Sequence, residues 1–216
     1  MAGTRWISAA CLSAFLVQCL ADRVVLFDGR TFGDFLTLTF GVHAPLLFAG
    51  FVWQPLTYIF LHGSVAHLCL NVVSLVLFGR ILEPVFGTRR FVALFIASGI
   101  VGGLGWLAAD LWMPSLLRWM LSQPNQTAVT VASWMAERFG VFGGHGVCIG
   151  ASAGVCGLAG AMAAIAPRRR EIWLLVILTL AEPLLRGAGV AHAAHIFGCI
   201  VGIILGMKWR AAVWRG

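Results

Sequence analysis

Long apolar runs separated by short polar breaks dominate the chain, and their lengths predict helices. Six such stretches occupy roughly residues 6–27, 53–79, 91–109, 147–166, 171–185 and 189–207. A helix needs about 20 apolar residues to cross a hydrocarbon layer ~30 Å thick, and most of these runs come close to that length. The fifth is short. The second is long enough that its first part reads as loop. Inside lipid every backbone amide needs an internal partner, so spanning stretches are helical. Segments 28–52 and 110–146 mix apolar residues with turn signals such as Asp28-Gly29 and Gly143-Gly144, which predicts interfacial helices or loops. The pattern therefore predicts an all-α membrane protein, one unit over residues 1–216, built as a bundle of six transmembrane helices.

Composition supports lipid as the second solvent. The chain is 60% hydrophobic and only 11% charged, against about 45–50% and about 25% in soluble domains. The net charge of +7 does not imply nucleic acid, because the basic residues interrupt apolar runs and form no stripe with aromatics. They set topology instead. Of the 15 lysines and arginines, ten share a side with the termini, among them Arg5, Arg80, Arg89, Arg90, Arg168, Arg169, Arg170 and Lys208; five, from Arg23 to Arg186, face the other side. The positive-inside rule then places both termini in the cytoplasm. Tryptophans near the stretch ends, such as Trp6, Trp53, Trp106 and Trp209, suit the headgroup level. The first run leads into Asp22 and Arg23 with no small-residue cleavage site, so it reads as a retained span. The six cysteines sit mostly in apolar runs without a CxxC pair and read as small buried hydrophobes. Short loops without a soluble domain point to a bacterial inner membrane.

Polar groups inside spans are costly, so each is a functional candidate. The second stretch carries His62, His67 and Asn71; the fourth opens with Gly150-Ala151-Ser152-Ala153-Gly154; the sixth carries His192 and His195. Ser152 lies roughly 24 Å before Arg168, and His195 roughly 20 Å before Lys208, at about 1.5 Å per helical residue. Both therefore sit several ångströms below the outer surface. Gly198, Gly202 and Gly206 recur at a spacing that lets two helix backbones approach. The fourth stretch offers its own small stripe through Gly154, Gly157 and Gly160. Close contact of these two helices would bring Ser152 and His195 within hydrogen-bond reach. Taken singly, Ser152 equally fits a serine bonded within its own helix, and His195 fits an interhelical hydrogen-bonding residue. His62 and His67 are spaced five apart, which does not place both on one helical face, so no metal site is expected.

Four blocks together resemble the rhomboid intramembrane serine proteases. The run from Trp53-Gln54-Pro55 to Leu61-His62-Gly63 resembles the approach to that family's second span. His62, His67 and Asn71 match its H-x4-H-x3-N spacing. Gly150-Ala151-Ser152 matches its G-x-S site, and Ala194-His195-Ile196-Phe197-Gly198 its A-H-x-x-G site. The likeness covers roughly residues 50–207. It implies a six-helix rhomboid-like bundle with Ser152 as nucleophile and His195 as general base. It also implies an oxyanion hole from His67, Asn71 and the Ser152 backbone amide, with His62 and Gly150 in support. No cofactor is implied. The implied partners are single-pass or polytopic membrane proteins, cut in or near their transmembrane segments, within the lipid bilayer.

The chain departs from the family pattern in several places. Ala153 precedes Gly154 where the family usually has glycine first, and Cys156 stands where it favours an aromatic. The first-loop pair is Trp53-Gln54 rather than Trp-Arg, and segment 110–146 is longer than expected. These departures keep a second reading open: a weak or inactive relative that binds membrane clients without cutting them.

Overall fold

The computed structural model describes residues 1–26, 29–139, 146–166 and 191–213. Helix α1 spans Ala2–Ala21, α2 Phe32–Phe40, α3 Ala44–Phe48 and α4 Gln54–Thr57, followed by a 3-10 turn at Tyr58–Phe60. Then come α5 (Val65–Phe86), α6 (Thr88–Leu121), α7 (Gln126–Phe139), α8 (Ser152–Ile165) and α9 (His192–Val213). Among the described residues the only strand-like pairings are two isolated bridges, Val25 with Thr31 and Val42 with Cys148. Helices α1, α5, α6 and α9 are long and apolar enough to cross a bilayer, and α8 is a shorter apolar helix. The stretch 171–185 lies outside the described residues.

Local signals explain where the helices begin and end. The apolar run 53–79 is not one helix. Its first part is α4 and the 3-10 turn, and the spanning helix starts after Ser64, whose hydroxyl accepts the His67 amide at 3.1 Å as an N-cap. That helix then passes the expected end at 79. Arg80 is exposed and its stem can lie along apolar surface, so α5 continues to Phe86. Gly87 stops it with φ +76°, a conformation glycine adopts at little cost. The same residue starts α6. Helix α6 does not end near 109 but runs on to Leu121, with Pro114 inside it. At about 1.5 Å per residue it is roughly 51 Å long, well beyond the ~30 Å hydrocarbon layer. The extension is made of good helix formers such as Leu111, Leu116, Leu117 and Met120. Segment 110–146 is thus largely helical, with α7 following the break at Ser122–Asn125. At α2, Thr31 and Asp34 form a capping box, the Thr31 amide donating to Asp34 Oδ2 at 2.8 Å. The Thr31 amide and hydroxyl hold the Asp34 carboxyl below its ordinary range.

Helix α8 sits at the centre. Every residue from Ala153 to Ala164 is buried. Its small side chains let three neighbours close in. A Cβ on Gly202 would meet the Gly157 carbonyl oxygen, one on Gly206 would lie 2.9 Å from Ala161 Cα, and one on Gly198 would meet the Ala153 carbonyl oxygen. The stripe on α9 therefore lies directly on the Ala153–Gly157–Ala161 face of α8. Gly157 also faces Ser98 of α6. Gly154, expected to face α9, meets the ring of Phe95 on α6 instead. A residue adjacent to Ala153 is turned about 100° around the helix, which accounts for that difference.

A buried carboxylate fixes α1. Glu83 of α5 is 3% exposed and lies at the start of α1. Its oxygens accept the Gly3 amide at 2.8 Å, the Thr4 amide at 3.0 Å, the Thr4 hydroxyl at 2.7 Å and the Thr88 hydroxyl at 2.8 Å. A helix start has orphan amides and a partial positive charge, and Glu83 answers both. Glu83→Ala is expected to destabilise the protein by about 3 kcal/mol, because charge-assisted bonds contribute about 1.5–3 kcal/mol and their donors would be left buried. Thermal unfolding in detergent measures this. A variant that melts with the wild type would contradict the capping role.

Candidate active site

The Ser152 side chain owes its position to an extended segment just before it. Non-helical backbone is tolerated at membrane depth only where other protein groups satisfy it. Val42 does so by exchanging both backbone bonds with Cys148, at 3.0 and 2.9 Å, and the Tyr58 carbonyl accepts the Gly150 amide at 2.9 Å. Tyr58 is itself anchored, donating its hydroxyl to the Gly99 carbonyl at 2.6 Å. Residues 41–60 thus hold the segment that delivers Ser152 to the first turn of α8. Gln54, fully buried, ties those segments together. Its side chain donates to the Leu38 carbonyl at 2.9 Å and accepts the His43 amide at 3.1 Å.

Ser152 Oγ lies 2.7 Å from His195 Nε2. Of the two atoms the hydroxyl is the donor when the imidazole is neutral and its Nδ1 carries the proton. His195 is 6% exposed and projects from the first turns of α9, where Ala194 packs against Gly102 of α6. Among the described residues Nδ1 has no hydrogen-bond partner. His192 opens α9 one turn earlier. Cys156 lies buried one turn after Ser152.

The second group of polar residues meets the first. Gly150 has φ +122°, which side-chain-bearing residues rarely adopt, and a Cβ there would lie 2.7 and 2.8 Å from His67 Cε1 and Nε2 and 3.7 Å from Ser152 Oγ. The His67 imidazole therefore lies over Gly150, next to the hydroxyl. Asn71, buried one turn along α5, donates to the His67 carbonyl at 3.0 Å. An amide nitrogen carries two hydrogens, so a second donation remains open to Asn71. His62 sits behind, its ring meeting that of His67 edge-on at 5.1 Å. The structure thus brings Ser152, His195, His67, Gly150 and His62 into one cluster, with Asn71 beside it. Sequence reasoning assigned no role to Val42, nor to Gln54 and Tyr58 within the block from Trp53 to Gly63. Val42 acts through its backbone, Tyr58 through its carbonyl and hydroxyl and Gln54 through its side-chain amide, and such long-range contacts leave no local signal. It also missed Gln18, a polar residue within an apolar run, which the cost of burying polar groups could have flagged.

This arrangement joins a hydroxyl to an imidazole beside a helix N-terminus, on a multi-pass membrane scaffold. The rhomboid domain matches residues 49–211, and the chain belongs to the rhomboid family. It is 30% identical over 111 residues to Rhomboid-like protease 3 of Toxoplasma gondii, covering 51% of this chain and 41% of that protein. It is 43% identical over 106 residues to Rhomboid-related protein 3 of Homo sapiens, covering 45% and 26%. It is 38% identical over 53 residues to Inactive RHOMBOID-like protein 8 of Arabidopsis thaliana, covering 24% and 15%. The matches span less than half the length of each of these relatives. The family includes intramembrane proteases, which act on membrane proteins within the bilayer, and members named as inactive.

Proposed function

We propose that this protein is an intramembrane serine endopeptidase that cuts peptide bonds in or near transmembrane segments through the Ser152–His195 dyad. The bundle would have six spans and cytoplasmic termini, with the site in the outer half of the membrane. The observation that carries the reading is the 2.7 Å contact between Oγ and Nε2. In the first step Oγ attacks the scissile carbonyl carbon while its proton passes to Nε2. The carbonyl oxygen becomes an oxyanion. The Ser152 amide, at the positive end of α8, the His67 side chain and the Asn71 amide would receive it. Such donors are typically worth about 2.7–4 kcal/mol each. His195 then gives its proton to the leaving amine, and an ester on Ser152 remains. Water, deprotonated by the same imidazole, attacks that ester. The imidazolium returns the proton to Ser152 Oγ as the acyl–oxygen bond breaks, freeing the second product as a carboxylic acid. A substrate helix must unwind locally first, because its own backbone shields the carbonyl. Residues of low helix propensity near the cut lower that cost.

A second reading rests on Cys156 in place of an aromatic and on the named inactive relative. It is a rhomboid-like protein that holds membrane clients without cutting them. Liposomes containing the protein and a single-pass substrate with a glycine-rich outer segment separate the two. Protease action predicts a new N-terminus in the outer part of the substrate's span. Intact substrate that stays bound to the protein would favour the client-binding reading.

The dyad also sets the sign of the pH dependence. Protonated Nε2 has no lone pair to accept from Oγ, so kcat/KM is expected to fall about tenfold per pH unit on the acid side. The midpoint is expected at or below about 6.5, the ordinary imidazole value. A rate that rises as pH is lowered, or an acid limb centred well above that value, would contradict a histidine base.

A further inference from the structure

We propose that Gln18 of α1 is a positioning residue for the oxyanion side of the site, an inference that rests on the protease reading above. Gln18 is 7% exposed, far from Ser152 in sequence, and on a helix to which the dyad chemistry assigns no part. Its Oε1 accepts the backbone amide of His62 at 3.0 Å, and its Nε2 donates to the Thr37 hydroxyl of α2 at 3.4 Å. No hydrogen bond joins it to Ser152 or His195 among the described residues.

The first of these contacts reaches the site in two steps. Residues Leu61–Ser64 are not helical, so the His62 amide has no helical carbonyl to bond. In a buried, apolar setting such an amide needs a specific acceptor, and Gln18 Oε1 provides it. With its backbone fixed there, the His62 ring donates from Nδ1 to the Phe60 carbonyl at 3.2 Å. Its edge then meets the His67 ring at 5.1 Å with the planes 65° apart. The His67 ring also lies against Gly150, beside Ser152 Oγ. The line therefore runs from the Gln18 oxygen to the His62 amide, through the His62 ring, to the imidazole that would face the oxyanion. A misplacement of about 1 Å at a catalytic group can cost about 100-fold in rate, so loosening this line is expected to reach the oxyanion side.

The test uses the full chain in liposomes with one transmembrane substrate, each variant's rate being normalised to folded protein. Gln18→Met keeps the length and removes both polar atoms. Gln18→Glu keeps the acceptor oxygen for the His62 amide. Thr37→Val removes only the second contact. Gln18→Met is expected to lower kcat about tenfold or more with KM changed less than about twofold. Gln18→Glu and Thr37→Val are expected to stay within about threefold of wild-type kcat. General loosening of α1 would move KM and stability with kcat and would not be rescued by glutamate. The proposal is overturned if Gln18→Met keeps wild-type kcat, or if glutamate is as slow as methionine. If Gln18→Met does not fold, the other two variants decide: near-wild-type kcat in both supports the proposal, and a tenfold loss in either overturns it. Ser152→Ala runs alongside. Cleavage by that variant would defeat the nucleophile assignment itself, whereas an inert Ser152→Ala beside a fully active Gln18→Met defeats only the role of Gln18.

Discussion

Ser152→Ala is expected to abolish cleavage of a transmembrane substrate while leaving the protein folded and in the membrane. The side chain lost is one oxygen, whose hydrogen-bond partner is His195 Nε2 at 2.7 Å. Without it no ester can form, and neither the imidazole nor the oxyanion donors have a covalent step to assist. Removing a nucleophile of this kind costs at least about four orders of magnitude in kcat. Stability should fall by no more than about 1–3 kcal/mol, the cost of leaving the buried His195 Nε2 without its partner. End-point cleavage assays and thermal melts of both proteins measure the two halves of this expectation. Equal cleavage by the variant and the wild type would remove Ser152 from the chemistry.

The second large effect is expected away from the reacting groups. Gly202 lies on α9 against the Gly157 carbonyl of α8, with no room for a Cβ. Gly202→Val would place a branched side chain against backbone, which cannot move aside as a flexible side chain does. The two helices must separate. Overpacking of this kind typically costs about 1–3 kcal/mol. The same separation is carried two turns along α9 to His195, and a displacement of about 1 Å at reacting groups can cost about 100-fold in rate. Gly202→Val is therefore expected to lose both thermal stability and at least 100-fold in kcat. Ile204→Val, at a position on the same helix that is 54% exposed, is the matched control and should behave as wild type. Equal activity of the two variants would show that close α8–α9 packing does not hold the dyad together.

These residues also show what was legible in the sequence. Serine and histidine inside apolar runs violate the usual cost of burying polar groups, so they stood out. The glycines at 198, 202 and 206 repeat at helical spacing, so the packed face of α9 could be read directly. Helix limits were less legible. The break before α5 depends on the Ser64 cap, and α6 continues through Pro114 although an interior proline removes a bond of the ladder and crowds the carbonyl four residues back. Gly154 was assigned to the wrong neighbour because a stripe of small residues does not say which of two adjacent helices it faces. The supports of the site were the least legible. The Val42–Cys148 exchange, the Tyr58–Gly150 bond and the Gln18–His62 bond join residues far apart in sequence, and no local period announces such contacts. Nothing local marks Glu83 as the group that receives the start of α1.

The account stands on the pairing of one hydroxyl with one imidazole, and covalent labelling reads that pairing without any substrate. A fluorophosphonate added to the folded protein should form a single adduct, on Ser152 by peptide mass, and His195→Ala should suppress that adduct. An adduct on a different serine, or labelling of Ser152 that proceeds undiminished without the imidazole, would contradict it.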